Sequence, residues 1–198
     1  MSLFSVKDIP DNALTDKLKS GEVLSDGAQV TALGKSFERV EQVIGKLPAT
    51  GSVHYASAGE WSTHELLYHI LQQTGTARVY IATWSMTETP ARWLGEMLNN
   101  GMMERLDLVL AFRTKNHHPG AYHLAKQLAA CVRLTALHAK VTVIENAHHS
   151  ISIVGSANYT NNPRIEAGVI CMDKEVAAFH KRWIIQLLEK GDPFETER

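Results

Sequence analysis

From residue 51 onward, short apolar runs alternate with stretches of helical spacing. That rhythm leaves few architectures open. ARVYIAT (77–83) and LDLVLAF (106–112) are nearly continuous apolar runs, the pattern of strands covered on both faces. SVHYAS (52–57) reads as a further strand. Glu60 to Gln73 has helical spacing, with Ser62 and Glu65 placed as a capping box and Leu66, Leu67, Ile70 and Leu71 on one face. Thr89 to Asn100 is helical, with Pro90 tolerated in its first turn, and so is Pro119 to Ala130. Strand, helix, strand, helix predicts parallel pairs joined by right-handed crossovers. After residue 132 the apolar segments Arg133 to Ile144, Ser150 to Val154 and Ile165 to Met172 lie too close together for helices between them, so antiparallel hairpins are expected. Asp173 is placed to cap a last helix bearing Val176, Phe179, Trp183, Ile184, Leu187 and Leu188, stopped by Gly191 and Pro193. The fold class expected is α/β, a mixed β-sheet flanked by helices on both faces.

Residues 1–50 read as a helical N-terminal extension and 51–198 as the α/β domain. In the extension Val30, Leu33, Phe37, Val40, Ile44 and Leu47 recur at three- and four-residue steps, a stripe ended by Pro48 and Gly51 that docks either on its own core or on a second copy. With 44% hydrophobic residues the chain is neither disordered nor fibrous. Twenty basic against twenty-one acidic residues, net −1, argue against a partner held by a strong positive field alone, while leaving room for a local basic cleft. No stretch reaches membrane-spanning length, and MSLFSVKDIPDN has no basic flank followed by an apolar run; a cytoplasmic protein without stable membrane association is expected. Cys131 and Cys171 each lie in an apolar stretch and read as buried thiols rather than a disulfide or half a metal site.

Chemistry concentrates in His138-Ala139-Lys140 and Gly155-Ser156-Ala157-Asn158. Alternation puts His138 and Lys140 on one face of a strand and Ser156 and Asn158 on one face of the next, with Ala139, Val141 and Val143 turned the other way. A hairpin over 146–150 with Glu145 opposite Ile151 would set Lys140 opposite Ser156 and His138 opposite Asn158. A cation, an imidazole, a hydroxyl and an amide at one spot suit a phosphate oxyanion, with Gly155 letting the backbone approach. A lone histidine on a strand is ordinarily structural, but HxK followed by GSxN arises by chance on the order of once in 10³ to 10⁴ chains of this size.

HAKVTVIE followed by GSAN resembles the signature of the phospholipase D superfamily: HxK, four residues, Asp, a short gap and GSxN. The resemblance implies a phospholipase D-like catalytic domain over 51–198, with His138 as the phosphorus-attacking nucleophile and Lys140, Ser156 and Asn158 holding the phosphate oxygens. It also implies a carboxylate on the strand after GSxN that orients the nucleophilic ring, a place taken by Glu166, and chemistry with no metal and no cofactor. Two departures stand. Glu145 replaces the signature Asp, and nine residues separate it from Gly155 where about six are usual. Seven residues after His138, Glu145 faces away from the patch, which predicts a peripheral structural role. The longer gap is met by an extended hairpin or marks drift from catalysis. The family mechanism needs two histidines, one to attack and one to protonate the leaving oxygen. Of the ten histidines only His138 is followed by lysine two places on. A homodimer that brings two copies of His138 together, as in small single-motif nucleases of the family, resolves the shortage, and an imidazole titrating at about 6.5 suits both roles. The function implied is phosphodiester hydrolysis through a covalent phosphohistidine, nuclease-like, with nucleic acid as the expected partner. The alternatives are a phospholipid phosphodiesterase or phosphatidyltransferase, and a nucleic-acid-binding module whose site has decayed.

Other residues admit two readings each. Trp84 follows a strand and contacts substrate or edges the core. Arg113, Lys115, His117 and His118 line a ligand crevice or are solvated loop charges. Tyr159, Asn161, Asn162 and Arg164 shape the pocket mouth or serve the turn. His64 and His69 are five apart and point about 140° apart on a helix, against zinc binding there. His148 and His149 fall in a turn and are assigned no role.

Overall fold

A computed structural model of the chain describes residues 29–32, 37–57, 59, 61–161 and 164–190. Its strands are β1 (Gln29–Ala32), β2 (Gly51–Ser57), β3 (Ala77–Thr83), β4 (Met103–Ala111), β5 (Cys131–Thr135), β6 (Lys140–Glu145), β7 (Ser150–Gly155) and β8 (Glu166–Met172). Its helices are α1 (Phe37–Ile44), α2 (Thr63–Thr74), α3 (Glu88–Asn99), α4 (Phe112–His117), α5 (Pro119–Leu128) and α6 (Lys174–Glu189). The strands form one mixed sheet in the order β1-β2-β8-β7-β6-β3-β4-β5, in which β6 and β8 run against the other six.

The apolar runs occupy the middle of the sheet because both its faces are covered. On one face Leu66, Leu67, Ile70, Leu94, Met97, Ala121 and Ala125 from α2, α3 and α5 pack with Val79, Ile81, Leu106, Leu108 and Leu110. On the other, α6 lays Ala177, Ile184 and Leu188 on Tyr80, Ala82, Val109, Val141 and Val143. Full burial of a leucine or isoleucine such as Leu66 or Ile70, each 0% exposed, stabilises by about 1.5–3 kcal/mol before its entropy cost. Asp173 caps α6 as its position predicts, Oδ1 accepting from the N–H groups of Glu175 (2.8 Å) and Val176 (3.0 Å). Gly191 and Pro193 lie outside the described residues.

Four expectations are corrected. The stripe from Val30 to Leu47 is not one helix: Val30 lies in β1, paired in parallel with β2, and the helix is confined to α1. The edge of β2 offers unpaired backbone groups that a β-branched Val30-Thr31 segment satisfies as a strand, a tertiary demand invisible to spacing. Gly45, at φ 59°, stops α1 by donating its N–H to Glu41 O (2.9 Å), ahead of Pro48; Val40 and Ile44 are buried in the chain's own core. The run 133–144 is two strands, β5 parallel to β4 and β6 antiparallel to β3, because β5 completes another strand–helix–strand unit before the chain reverses. A further helix, α4, turns out of β4 directly. Cys131 and Cys171 are free, but both are partly exposed rather than buried.

The capping box at α2 is occupied from the Glu65 side: its carboxylate accepts from Ser62 N–H (2.7 Å) and Ser62 Oγ (2.9 Å), while Ser62 Oγ also lies 2.7 Å from His64 Nδ1. His64 is 3% exposed and stacks tilted on Trp93, ring centroids 5.5 Å apart. Burial lowers its pKa to about 4 from the ordinary 6.5. The unfolded chain therefore binds a proton here that the folded chain refuses. The stability held by neutral His64 is complete above pH 6.5 and is lost as pH falls toward 4, about 3 kcal/mol in all. Urea unfolding at pH 7 and pH 4.5 tests this: His64→Gln is expected to flatten the acid-side loss by about 2 kcal/mol or more, and an unaltered slope would refute it.

Candidate active site

The site lies where the carboxyl ends of β2, β3, β4 and β7 meet the amino ends of β6 and β8. His138, just before β6, is exposed, and Lys140 opens the strand opposite Thr83 of β3. Lys140 Nζ donates to the His138 carbonyl (2.7 Å) and stands 3.3 Å and 3.4 Å from the two ring nitrogens of His138. The Trp84 indole backs the pair, its centroid 5.2 Å from the imidazole and 5.6 Å from Nζ. Partial burial lowers the Lys140 pKa, and the Glu166 charge opposes that shift.

Asn158 arrives from the other side. Its Oδ1 accepts from Thr83 Oγ1 (3.4 Å) and its carbonyl from Thr63 Oγ1 (3.3 Å), so β3 and the first residue of α2 both hold it. The next residue is the anchor: Tyr159, 2% exposed, meets Thr142 Oγ1 through its hydroxyl at 2.7 Å, and its carbonyl accepts from Thr87 N (2.9 Å). A bridge between Met86 and Tyr159 completes the join between the loops after β3 and β7. Tyr159 is thus a buried strut rather than part of a pocket mouth. Arg164 and Asn161 are exposed, and Asn162 lies outside the described residues.

Ser156 is exposed; its hydroxyl donates to Glu166 Oε2 in a short hydrogen bond and accepts from Ala167 N–H (3.0 Å). Glu166 is therefore on the strand where the resemblance puts it, and the partner it takes here is Ser156, while the His138 ring is engaged by Lys140 and Trp84. Its charge reaches Lys140 and, with burial, raises the pKa of Tyr55.

The hairpin register differs from the expected one by a residue. Glu145 pairs with Ser150 and Val141 with Val154, which carries Lys140 toward Gly155 instead of Ser156. The turn is tighter than expected because Asn146 closes it, Oδ1 accepting from His148 N (2.9 Å) and His149 N (2.8 Å), with Asn146 N–H donating to His149 O (3.0 Å). His148 and His149 thus serve that turn through their backbones. Ser156 and Asn158 come to the rim by leaving the strand after Gly155, not by facing Lys140 across a ladder. Gly155 also has a different reason: a Cβ there would stand 2.9 Å from Ala167 O and 3.2 Å from Tyr55 Oη, so its small size answers to packing. Glu145 sits at the far end of β6 in an ion pair with Lys181.

Of the outlying residues, Arg113 is brought in, its Cζ 4.2 Å from the Trp84 centroid. His118 caps α4 with its backbone, donating to Thr114 O (2.9 Å) and accepting from Tyr122 N (3.1 Å). His69 Nε2 lies 2.9 Å from Gly45 O and 2.7 Å from Gln73 Nε2, in the joint between α1 and α2. Among the described residues no group of three or more His, Cys, Asp or Glu is placed to hold a metal ion, and no helix is long and apolar enough to cross a membrane. Sequence reasoning missed Tyr55, Thr63 and Thr83, which touch the site only through the fold.

No protein-family model matches the sequence, and neither does any curated protein. Solved structures do match. Nuc, a phospholipase D family member from Salmonella typhimurium, superposes with a TM-score of 0.50 at 15% identity, over 71% of this chain and 95% of Nuc. The chain has the phospholipase D fold. Phosphatidylserine synthase from Haemophilus influenzae (TM-score 0.50, 13% identity, 72% of this chain) and polyphosphate kinase from Porphyromonas gingivalis (0.52, 10%, 74%) are similar as well. The chain spans 40% of that synthase and 27% of that kinase. At such identities the likeness lies in the sheet and its helices, and the chemistry has to be argued from the residues the phospholipase D fold gathers here.

Proposed function

We propose that the chain is a metal-independent phosphodiester hydrolase of the phospholipase D superfamily that acts through a covalent phosphohistidine, nuclease-like in substrate, with a composite site in a homodimer. The observation that carries this reading is the exposed His138 imidazole with an ammonium 3.3 Å from its ring nitrogen, on a rim shared with Ser156, Asn158 and Glu166. In the first step a ring nitrogen of one His138 attacks phosphorus, and the bond to the leaving oxygen breaks as His138 of the second copy gives that oxygen a proton. In the second step that histidine takes a proton from water, the water oxygen attacks phosphorus, and the P–N bond breaks. Lys140, Ser156 and Asn158 hold the non-bridging oxygens as charge builds on them. Glu166 orients the attacking ring once a bound phosphate draws Ser156 from its carboxylate.

Support for the second copy comes from apolar side chains beside the site. Val154 precedes Gly155 and Ile165 precedes Glu166; they are 37% and 64% exposed. The test has two parts. In excess EDTA the protein is incubated with single-stranded DNA, duplex DNA, a chromogenic diester and phosphatidylcholine; cleavage of nucleic acid without metal is expected. Tight binding without turnover would favour a decayed module, and turnover of the lipid alone would favour a lipid enzyme. Sizing of the same sample should give a dimer that Val154→Glu with Ile165→Glu dissociates, with activity lost in step. A fully active monomer would refute the composite site.

A further inference from the structure

The open side of the site is organised by one indole. Trp84 is half-buried, and around its ring stand Arg113 Cζ at 4.2 Å, Lys140 Nζ at 5.6 Å and the His138 ring at 5.2 Å. Arg113 is exposed. The ion pairs of the described residues join Arg78 to Glu104, Arg92 to Glu88, Arg105 to Asp107 and Lys181 to Glu145, and none takes Arg113. The sequence explains why: between Asp107 and Glu145 there is no acidic residue, while Arg113, Lys115, Lys126, Arg133 and Lys140 all fall there. In a chain of net charge −1 this is a concentrated positive segment, and α4 carries part of it to the rim. A guanidinium held by a ring face keeps its planar fork of N–H donors for another acceptor, the geometry that suits a phosphate. Because Arg113 and His138 lie against the same indole, neighbouring phosphates of one strand can reach both.

We infer that Trp84 and Arg113 form a subsite for the phosphate next to the scissile one in a single strand of nucleic acid. Arg113 grips that phosphate, and Trp84 is the positioning residue that holds the guanidinium beside the nucleophile. Phosphatidylcholine, with one diester per molecule, has no second phosphate to place there. The inference rests on the hydrolase reading for the word scissile, and the strand-binding part stands apart from it. Binding of a labelled single-stranded oligonucleotide is measured across a salt series in the His138→Asn background. Arg113→Gln is expected to weaken binding about tenfold or more and to reduce the slope of log K against log salt by about 0.7, one phosphate contact on a single strand. Arg113→Lys should keep the slope and lose part of the affinity. Trp84→Leu should weaken binding as Arg113→Gln does, and the double variant should lose little more than either alone. In the active protein, Arg113→Gln should lower kcat/KM for the oligonucleotide about tenfold further than for bis(p-nitrophenyl) phosphate, which carries a single phosphate. An unchanged slope and affinity, or equal losses on both substrates, overturns the subsite. No hydrolysis of any diester with the slope change intact sinks the hydrolase reading alone.

Discussion

Replacing His138 with alanine is expected to lower kcat/KM for diester cleavage on the order of 10⁴-fold or more, because the proposed mechanism places both chemical roles on that one residue of a symmetric dimer. His64 and His69, buried along α2, and His148 and His149, in the turn at the far end of β6, are not placed to substitute. The fold should not notice. His138 is exposed and outside any strand, and substitutions of that kind usually cost within about 0.5 kcal/mol. Unchanged thermal unfolding with lost turnover is thus the expected pair of results, repeated in His138→Asn, which keeps polarity without a nucleophile. Lys140→Met should cost less, roughly 10²–10³-fold, since it removes one electrostatic partner and leaves the attack intact. Cleavage persisting in both His138 variants at near parental rate would end the mechanism.

A large effect on stability is expected at Gly168. This residue of β8 pairs with Gly155, and the ring of Tyr55 lies over the gap. A Cβ at Gly168 would stand 2.5 Å from Tyr55 Oη, 2.6 Å from Tyr55 Cζ and 2.8 Å from the Val154 carbonyl oxygen. The ring can yield, but the carbonyl is fixed in the middle of the sheet. Gly168→Ala should therefore cost about 2–3 kcal/mol, in the range for overpacking a dense core, read as a lower urea midpoint at unchanged slope. Tyr55→Phe in the same chain should recover only part of it, because Cζ and the backbone oxygen remain. Full recovery would show that the hydroxyl alone makes the clash, and no loss in Gly168→Ala would show that the strands there are looser than their packing. Gly155 belongs to the same arrangement, so activity should fall along with stability in Gly168→Ala.

Both expectations show where sequence reading reached and where it stopped. HxK and GSxN can be read without a structure because the residues that perform phosphoryl chemistry are few and their spacing is rarely met by accident. The buried strands and most helices can be read for a similar reason, since apolar periodicity is a local record of which faces meet the core. Their pairing is another matter. Nothing near Val30 announces that the edge of β2 will claim it as a strand. The hairpin slipped by one residue because a single Asn146 side chain closed the turn, and one residue of register reverses every facing pair. The carboxylate-free stretch from Asp107 to Glu145 is a signal in the sequence, yet its meaning appears only when α4 sets Arg113 on Trp84.

The chain alone determines its α/β architecture and which residues the proposed mechanism can use as nucleophile and phosphate-holding groups, since these follow from residue type and short-range spacing. Tertiary structure alone decides that Thr63 and Thr83 hold Asn158, that Tyr159 braces it, that Glu166 engages Ser156, and that Tyr55 demands two glycines. Such contacts join residues far apart in the chain, and their distances are settled by how sheet and helices pack, which no local pattern encodes.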